Sequence, residues 1–221
     1  EKIHARTSNW MGADPFKGIL GEIFLVPTFS ELEREGLNRW WALGFQAGNR
    51  TAILVSCTTE RGLERLLAHE LTHRFDGALH PGLPEWALEG RADYAAGAYE
   101  FEDDIEIFQH WGAISSAKRT LNEGYDRPTR FRALLQSEIE DYRDNYFAGL
   151  TLWTFLNSWK PAKPLFRERI PLFIENGLSK DPVDWFEKCF ADGLNGRPSG
   201  LNEFIILWQS YLVEVKGLPS W

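Results

Sequence analysis

Two stretches near the N-terminus, residues 19–26 (ILGEIFLV) and 51–57 (TAILVSC), are dense in isoleucine, leucine and valine and are bounded by Gly, Pro, Thr or Asn. Short apolar runs with such boundaries predict β-strands. Between them SELEREGLNRWWALGF, residues 30–45, has a mostly helical pattern. From Thr58 onward almost no strand signal remains. Thr58 is placed to cap a helix with Glu60 in its first turn, running to about Phe75, where Asp76-Gly77 is expected to stop it. A second helix is expected from Pro84, a favourable first-turn residue, to about Tyr99. Later helices are expected near 103–117, 129–137, 142–158, 164–176, 181–192 and 200–215, punctuated by Pro128, Pro161, Pro164, Pro171 and Pro182, with Pro171 placed to kink one. There is no internal repeat, and no Pro/Gly/Ser-rich linker or charge run divides the chain. The pattern predicts an α+β fold, a small N-terminal sheet followed by a mostly helical body, as a single domain over residues 1–221.

Composition narrows the partners. Hydrophobic residues make up 43% and aromatics 14% of the chain, with ten tryptophans that are expected in the core. The net charge is −8 and no Lys/Arg cluster is present, which argues against nucleic acid or an anionic membrane as a partner. No apolar run approaches the length of a transmembrane helix, roughly 18 residues. The chain starts at Glu1 and its only methionine is Met11. An initiator segment, signal peptide or other upstream region is therefore expected to precede Glu1, which leaves the location open with a lean to an extracytoplasmic one. Cys57 and Cys189 stand alone, without metal-type spacing, and are expected as buried thiols.

The chemistry concentrates in AHELTHRFDGALHPGLPEWALEGRADY, residues 68–94. On a helix, residues four apart project from one face, so His69 and His73 can bring two imidazole nitrogens to one ion. Leu63, Leu67 and Leu71 are expected to point largely away and form the buried side. Glu70, about 100° round from His69, is aimed to reach a water beside the metal and not the metal itself, which suits a general base. From this composition the motif is expected by chance on the order of 0.01 times per chain. A metal site needs a third protein ligand, and His80, Glu85 and Glu89 are the candidates. His80 lies in turn-rich sequence between Gly77 and Pro81-Gly82, and Glu85 sits beside Pro84, where it favours the helix dipole. Glu89 and Asp93 share a helix face, so one can bind metal while the other accepts the outer N–H of His69 or His73. Arg91 is expected as a surface or salt-bridge residue.

Two zinc-peptidase branches compete for this segment. The metzincin pattern would make His80 the third ligand. Here, however, Asp76 occupies its glycine position, Gly77 and His80 each fall one residue late, and the only methionine lies upstream. LPEWALEGRADY instead resembles the second motif of the gluzincins, the thermolysin-like and aminopeptidase-like branch. That resemblance implies a zincin-like fold, zinc held by His69, His73 and Glu89, and Asp93 orienting a ligand histidine. YFAGLTLWTFL, residues 146–156, resembles the segment in which aminopeptidase-like members carry a catalytic tyrosine three residues before a glycine, which implies that role for Tyr146. The strand leading into the motif helix and the C-terminal GLNEFIILWQSYLVE are also similar to this branch. A Gly-x-Met-Glu-Asn segment, which holds a substrate's free amino group in the aminopeptidases, is absent.

The expected protein is a zinc-dependent metallopeptidase acting on a peptide or protein substrate, with Zn²⁺ as cofactor and Glu70 as general base. Two imidazoles and one carboxylate leave a fourth tetrahedral position for water, as in catalytic and not structural zinc sites. The alternatives are a zincin-fold binding or scaffold protein without turnover, and a zinc amidase or esterase acting on a non-peptide substrate.

Overall fold

The structure, a computed structural model, describes residues 2–17, 21–34, 43–48, 50–55, 59–100, 106–107, 113, 115–117, 127–136, 138, 142–158, 183 and 201–215. In chain order these form α1 (Lys2–Met11), β1 (Glu22–Val26), α2 (Phe29–Arg34), β2 (Gly44–Ala47), β3 (Arg50–Leu54), α3 (Glu60–Leu79), α4 (Glu85–Glu100), α5 (Arg127–Gln136), α6 (Tyr142–Ser158) and α7 (Leu201–Ser210), which ends in a π-helical turn, Tyr211–Val215. A small N-terminal sheet followed by helices makes the fold α+β, as the hydrophobic pattern predicts. The backbone clusters into two compact units, Glu1–Pro81 with Ala95–Glu102, and Gly82–Tyr94 with Asp103–Trp221, so α4 contributes residues to both.

In the first unit the sheet order is β1-β3-β2, with β1 parallel and β2 antiparallel to the central β3. Every β3 residue after Arg50 is buried, as a strand covered on both faces requires. On one face Val26, Leu32, Ala52 and Leu54 form a cluster, with Phe24 and Phe29 packed against it. α2 is fixed there by a capping box in which the Glu31 amide donates to Thr28 Oγ1 at 3.3 Å and the Thr28 amide donates to Glu31 Oε2 at 3.2 Å. α3 packs on β2, β3 and α1. The tilted His4–Phe75 ring pair at 5.3 Å lies between α1 and α3, and Arg6 donates to the Ala98 carbonyl of α4.

In the second unit aromatic side chains knit α5, α6 and α7 together. Phe131 lies 5.7 Å from both Phe204 and Trp208, Phe155 lies 5.4 Å from Phe204, and Tyr211 sits 5.1 Å from Phe155. Spacings of this size are those of tilted and edge-to-face pairs. Trp86, Trp153 and Trp208 are all buried, as expected of core tryptophans.

Several elements differ from the sequence pattern. Gly44 and Phe45, expected at the end of a helical stretch, belong to β2, which turns back onto β3 through a two-residue link between Ala47 and Arg50, with Gly48 at φ 57°. A strand of four residues is too short for periodicity to reveal, but Gly48-Asn49 between two extended runs is a hairpin signal. α1 has no counterpart among the expected elements. α3 starts one residue later than expected, with Thr59 as its cap accepting from the Gly62 amide at 3.2 Å. It also runs past Asp76-Gly77 to Leu79, where the His80 amide donates to the Asp76 carbonyl at 2.7 Å. An isolated glycine costs a helix only about 1 kcal/mol, too little to end one held by packing. Residues 56–58 with Cys57, Cys189, Pro171 and the helices expected at 164–176 and 181–192 lie outside the described residues, apart from Val183. Among the described residues no helix is long and apolar enough to cross a membrane.

Candidate metal centre

α3 turns its buried side, Ala68, Leu71, Thr72 and Phe75, toward the unit's interior. Leu63 and Leu67, expected there, are only half-buried. The Thr72 hydroxyl donates to the Ala68 carbonyl at 2.8 Å, so no polar group of that side chain is stranded. His69 and His73 are half-buried on the neighbouring face, their Nε2 atoms 3.0 Å apart and their rings nearly perpendicular at 81°. Two zinc–nitrogen bonds of about 2.0–2.1 Å at a tetrahedral angle place the nitrogens about 3.3 Å apart. The pair therefore already has close to the separation one small cation demands.

Glu70 follows His69 round the helix and is buried, at 6% exposure. Its side chain lies against Gly44, the first residue of β2. A β-carbon on Gly44 would fall 2.9 Å from both Cγ and Cδ of Glu70 and closer still to Oε1. Beyond His73, Arg74 is buried with its guanidinium 4.1 Å from the centre of the Phe16 ring and packed against Gly21, which ties α3 to the N-terminal segment. His80 is the C-cap of α3.

In the second unit Glu85 opens α4, Glu89 is half-buried, and Asp93, one turn further on the same face, is buried at 5% exposure. A carboxylate that far from water is stable only with donors or charges around it. Arg91 is not a surface residue. It is buried, with its guanidinium 5.1 Å from the centre of the Trp153 ring, because the planar cation can stack on an indole where an ammonium could not lie flat. α4 and α6 meet backbone to backbone. A β-carbon on Gly90 would lie 2.7 Å from the Leu150 amide nitrogen and nearer to the Gly149 carbonyl, and one on Gly149 would lie 2.5 Å from the Trp86 carbonyl oxygen. Tyr146, in the second turn of α6 and three residues before Gly149, is buried at 8% exposure.

One ligand atom from each of His69, His73 and Glu89 falls within 4.8 Å of the other two. Among the described residues no other group of three His, Cys, Asp or Glu side chains meets this spacing. Two imidazoles and a carboxylate are a donor set that suits zinc, and three protein ligands leave one tetrahedral position over. The residues fit the ion. His80 and Glu85, the other candidates for third ligand, are not members of the group. The glycines at the close approaches, Gly21, Gly44, Gly90 and Gly149, are not marked for this role by the hydrophobic pattern. The only local signal is a glycine inside an apolar element, which marks a place where something comes near the backbone. Comparison of the chain with family models, curated proteins and solved structures finds no match in any of the three.

Proposed function

We propose that the chain is a zinc-dependent metallopeptidase of gluzincin type, with His69, His73 and Glu89 holding the metal and Glu70 acting as general base. The observation that carries this reading is the convergence of those three ligand groups, with the two Nε2 atoms 3.0 Å apart, beside a buried glutamate one residue along the same helix. Zinc bound there would supply Lewis acidity, lowering the pKa of a coordinated water toward about 7 and polarising the scissile carbonyl. Glu70 accepts the proton of the attacking water and passes it to the leaving amine, a role for which a domain that only binds would have no use. Asp93 acts as the acceptor that orients a ligand histidine, and the Tyr146 hydroxyl donates to the oxygen on which negative charge develops. The products are two peptides, and no covalent intermediate with the protein is formed.

The test joins metal analysis to turnover. Protein purified without added metal is assayed for zinc, and the zinc-loaded wild type and Glu70→Gln are compared on casein, short peptides and acyl esters. The expected result is about one zinc per chain in both proteins, peptide hydrolysis by the wild type, and a loss of 10²–10⁴-fold in Glu70→Gln, on the order of what a general base contributes. Hydrolysis of esters alone would move the assignment to an esterase. A fully zinc-loaded protein that hydrolyses nothing would make it a binding module.

A further inference from the structure

We infer that Gly44 is a positioning residue for Glu70, and that the absence of a side chain at this one strand position sets the aim of the proposed base. The inference rests on the assignment of Glu70 as general base. Gly44 opens β2, and a glycine in a strand loses more backbone entropy than other residues and contributes no packing, which is offset where another group needs the space. Here the approaching group is identified. Gly44 is paired with Ile53 in the antiparallel ladder and lacks the positive φ seen at Gly12, Gly48 and Gly82, so its backbone conformation is open to alanine. What alanine would meet is the Glu70 side chain, with the new methyl 2.9 Å from both Cγ and Cδ.

The Glu70 side chain is also shut in. With 6% of its surface exposed it cannot swing into water to escape the methyl. It must take another rotamer within the same enclosure, which carries the side chain about 0.6–1.1 Å from its present place, the difference between 2.9 Å and an ordinary carbon–carbon contact of about 3.5–4.0 Å. A displacement of that size at a reacting group costs on the order of 10²-fold in rate. The three atoms nearest the new methyl all belong to Glu70 and none to His69 or His73, so zinc binding is expected to hold and the loss to fall on kcat.

The experiment combines two double-mutant cycles. In the first, Gly44→Ala, Glu70→Ala and the pair are melted as metal-free proteins. Gly44→Ala is expected to lower Tm by about 3–6 °C, in the range of overpacking a buried site, and this loss should largely vanish when Glu70→Ala has removed the carboxylate. An equal loss in both backgrounds would overturn the contact. If Gly44→Ala alone does not fold, the pair must fold, and a pair that also fails overturns the inference. In the second cycle zinc-loaded wild type, Gly44→Ala, Glu70→Gln and their pair are assayed on the panel substrate that the wild type hydrolyses. The expectation is kcat lower by about 10²-fold in Gly44→Ala with unchanged KM and zinc content, and no further loss on adding Gly44→Ala to Glu70→Gln. A structural defect would instead lower the residual rate in both backgrounds. Full activity of Glu70→Gln would sink the general-base assignment itself, whereas an inactive Glu70→Gln beside a fully active Gly44→Ala would sink only the role of Gly44.

Discussion

Gly90 offers a test in which the sign of the result decides. Glycine to alanine in an unhindered helix interior stabilises by about 0.8–1.0 kcal/mol. Gly77 in α3 is such a place, exposed and with nothing within 4 Å of where a methyl would sit, whereas a methyl on Gly90 would lie 2.7 Å from the Leu150 amide nitrogen and closer to the Gly149 carbonyl. Those obstacles are backbone atoms of α6, which no rotamer change can move, so α4 and α6 must separate by about 1 Å to restore ordinary contact. Overpacking of this kind costs about 1–3 kcal/mol, and a rigid backbone obstacle belongs in the upper part of that range. Subtracting the helix-propensity gain leaves Gly90→Ala about 1–2 kcal/mol less stable than the wild type. For a chain of this size that lowers Tm by about 2–8 °C, while Gly77→Ala raises it by up to about 4 °C. Urea denaturation with matched thermal melts of the metal-free proteins provides the assay. A Gly90→Ala protein as stable as Gly77→Ala would refute the close packing of α4 on α6. Glu89 is the neighbouring residue, so the same displacement should also weaken zinc affinity, read by competition with a chelator.

His73→Ala should abolish tight zinc binding while His80→Ala leaves the stoichiometry at one per chain, and the reverse outcome would reassign the third ligand. Asp93→Ala should weaken zinc by about 10–100-fold, the usual effect of losing a partner that orients a ligand. Wild-type affinity in a folded Asp93→Ala protein would remove Asp93 from the site. Tyr146→Phe deletes one hydroxyl and should lower kcat by about 10²–10³-fold with near-normal zinc content and stability. Lost stability with unaltered kcat would place that hydroxyl in the core, where Tyr146 is buried.

Much of the candidate site is legible in the order of residues because the spacings that build it are local. The four-residue spacing of His69 and His73 requires a helix and nothing more to bring two nitrogens together, and Glu89 with Asp93 repeats that logic one helix later. The strands β1 and β3, the span of α4 and that of α6 are likewise written in local pattern, since length, boundary residues and periodicity act over a few neighbours. What local pattern does not hold is which atoms meet across the fold. The end of α3 follows packing and not the Asp76-Gly77 stop, because burial of Phe75 outweighs the small cost of one helical glycine. β2 exists because β3 supplies its hydrogen bonds, which four residues cannot announce by themselves. Arg91 is buried because Trp153, sixty-two positions away, lies beneath it. Gly44 and Gly90 read as ordinary glycines until α3 is laid against β2 and α6 against α4. Their meaning is steric, and steric exclusion is a property of distances between segments that only the tertiary structure sets.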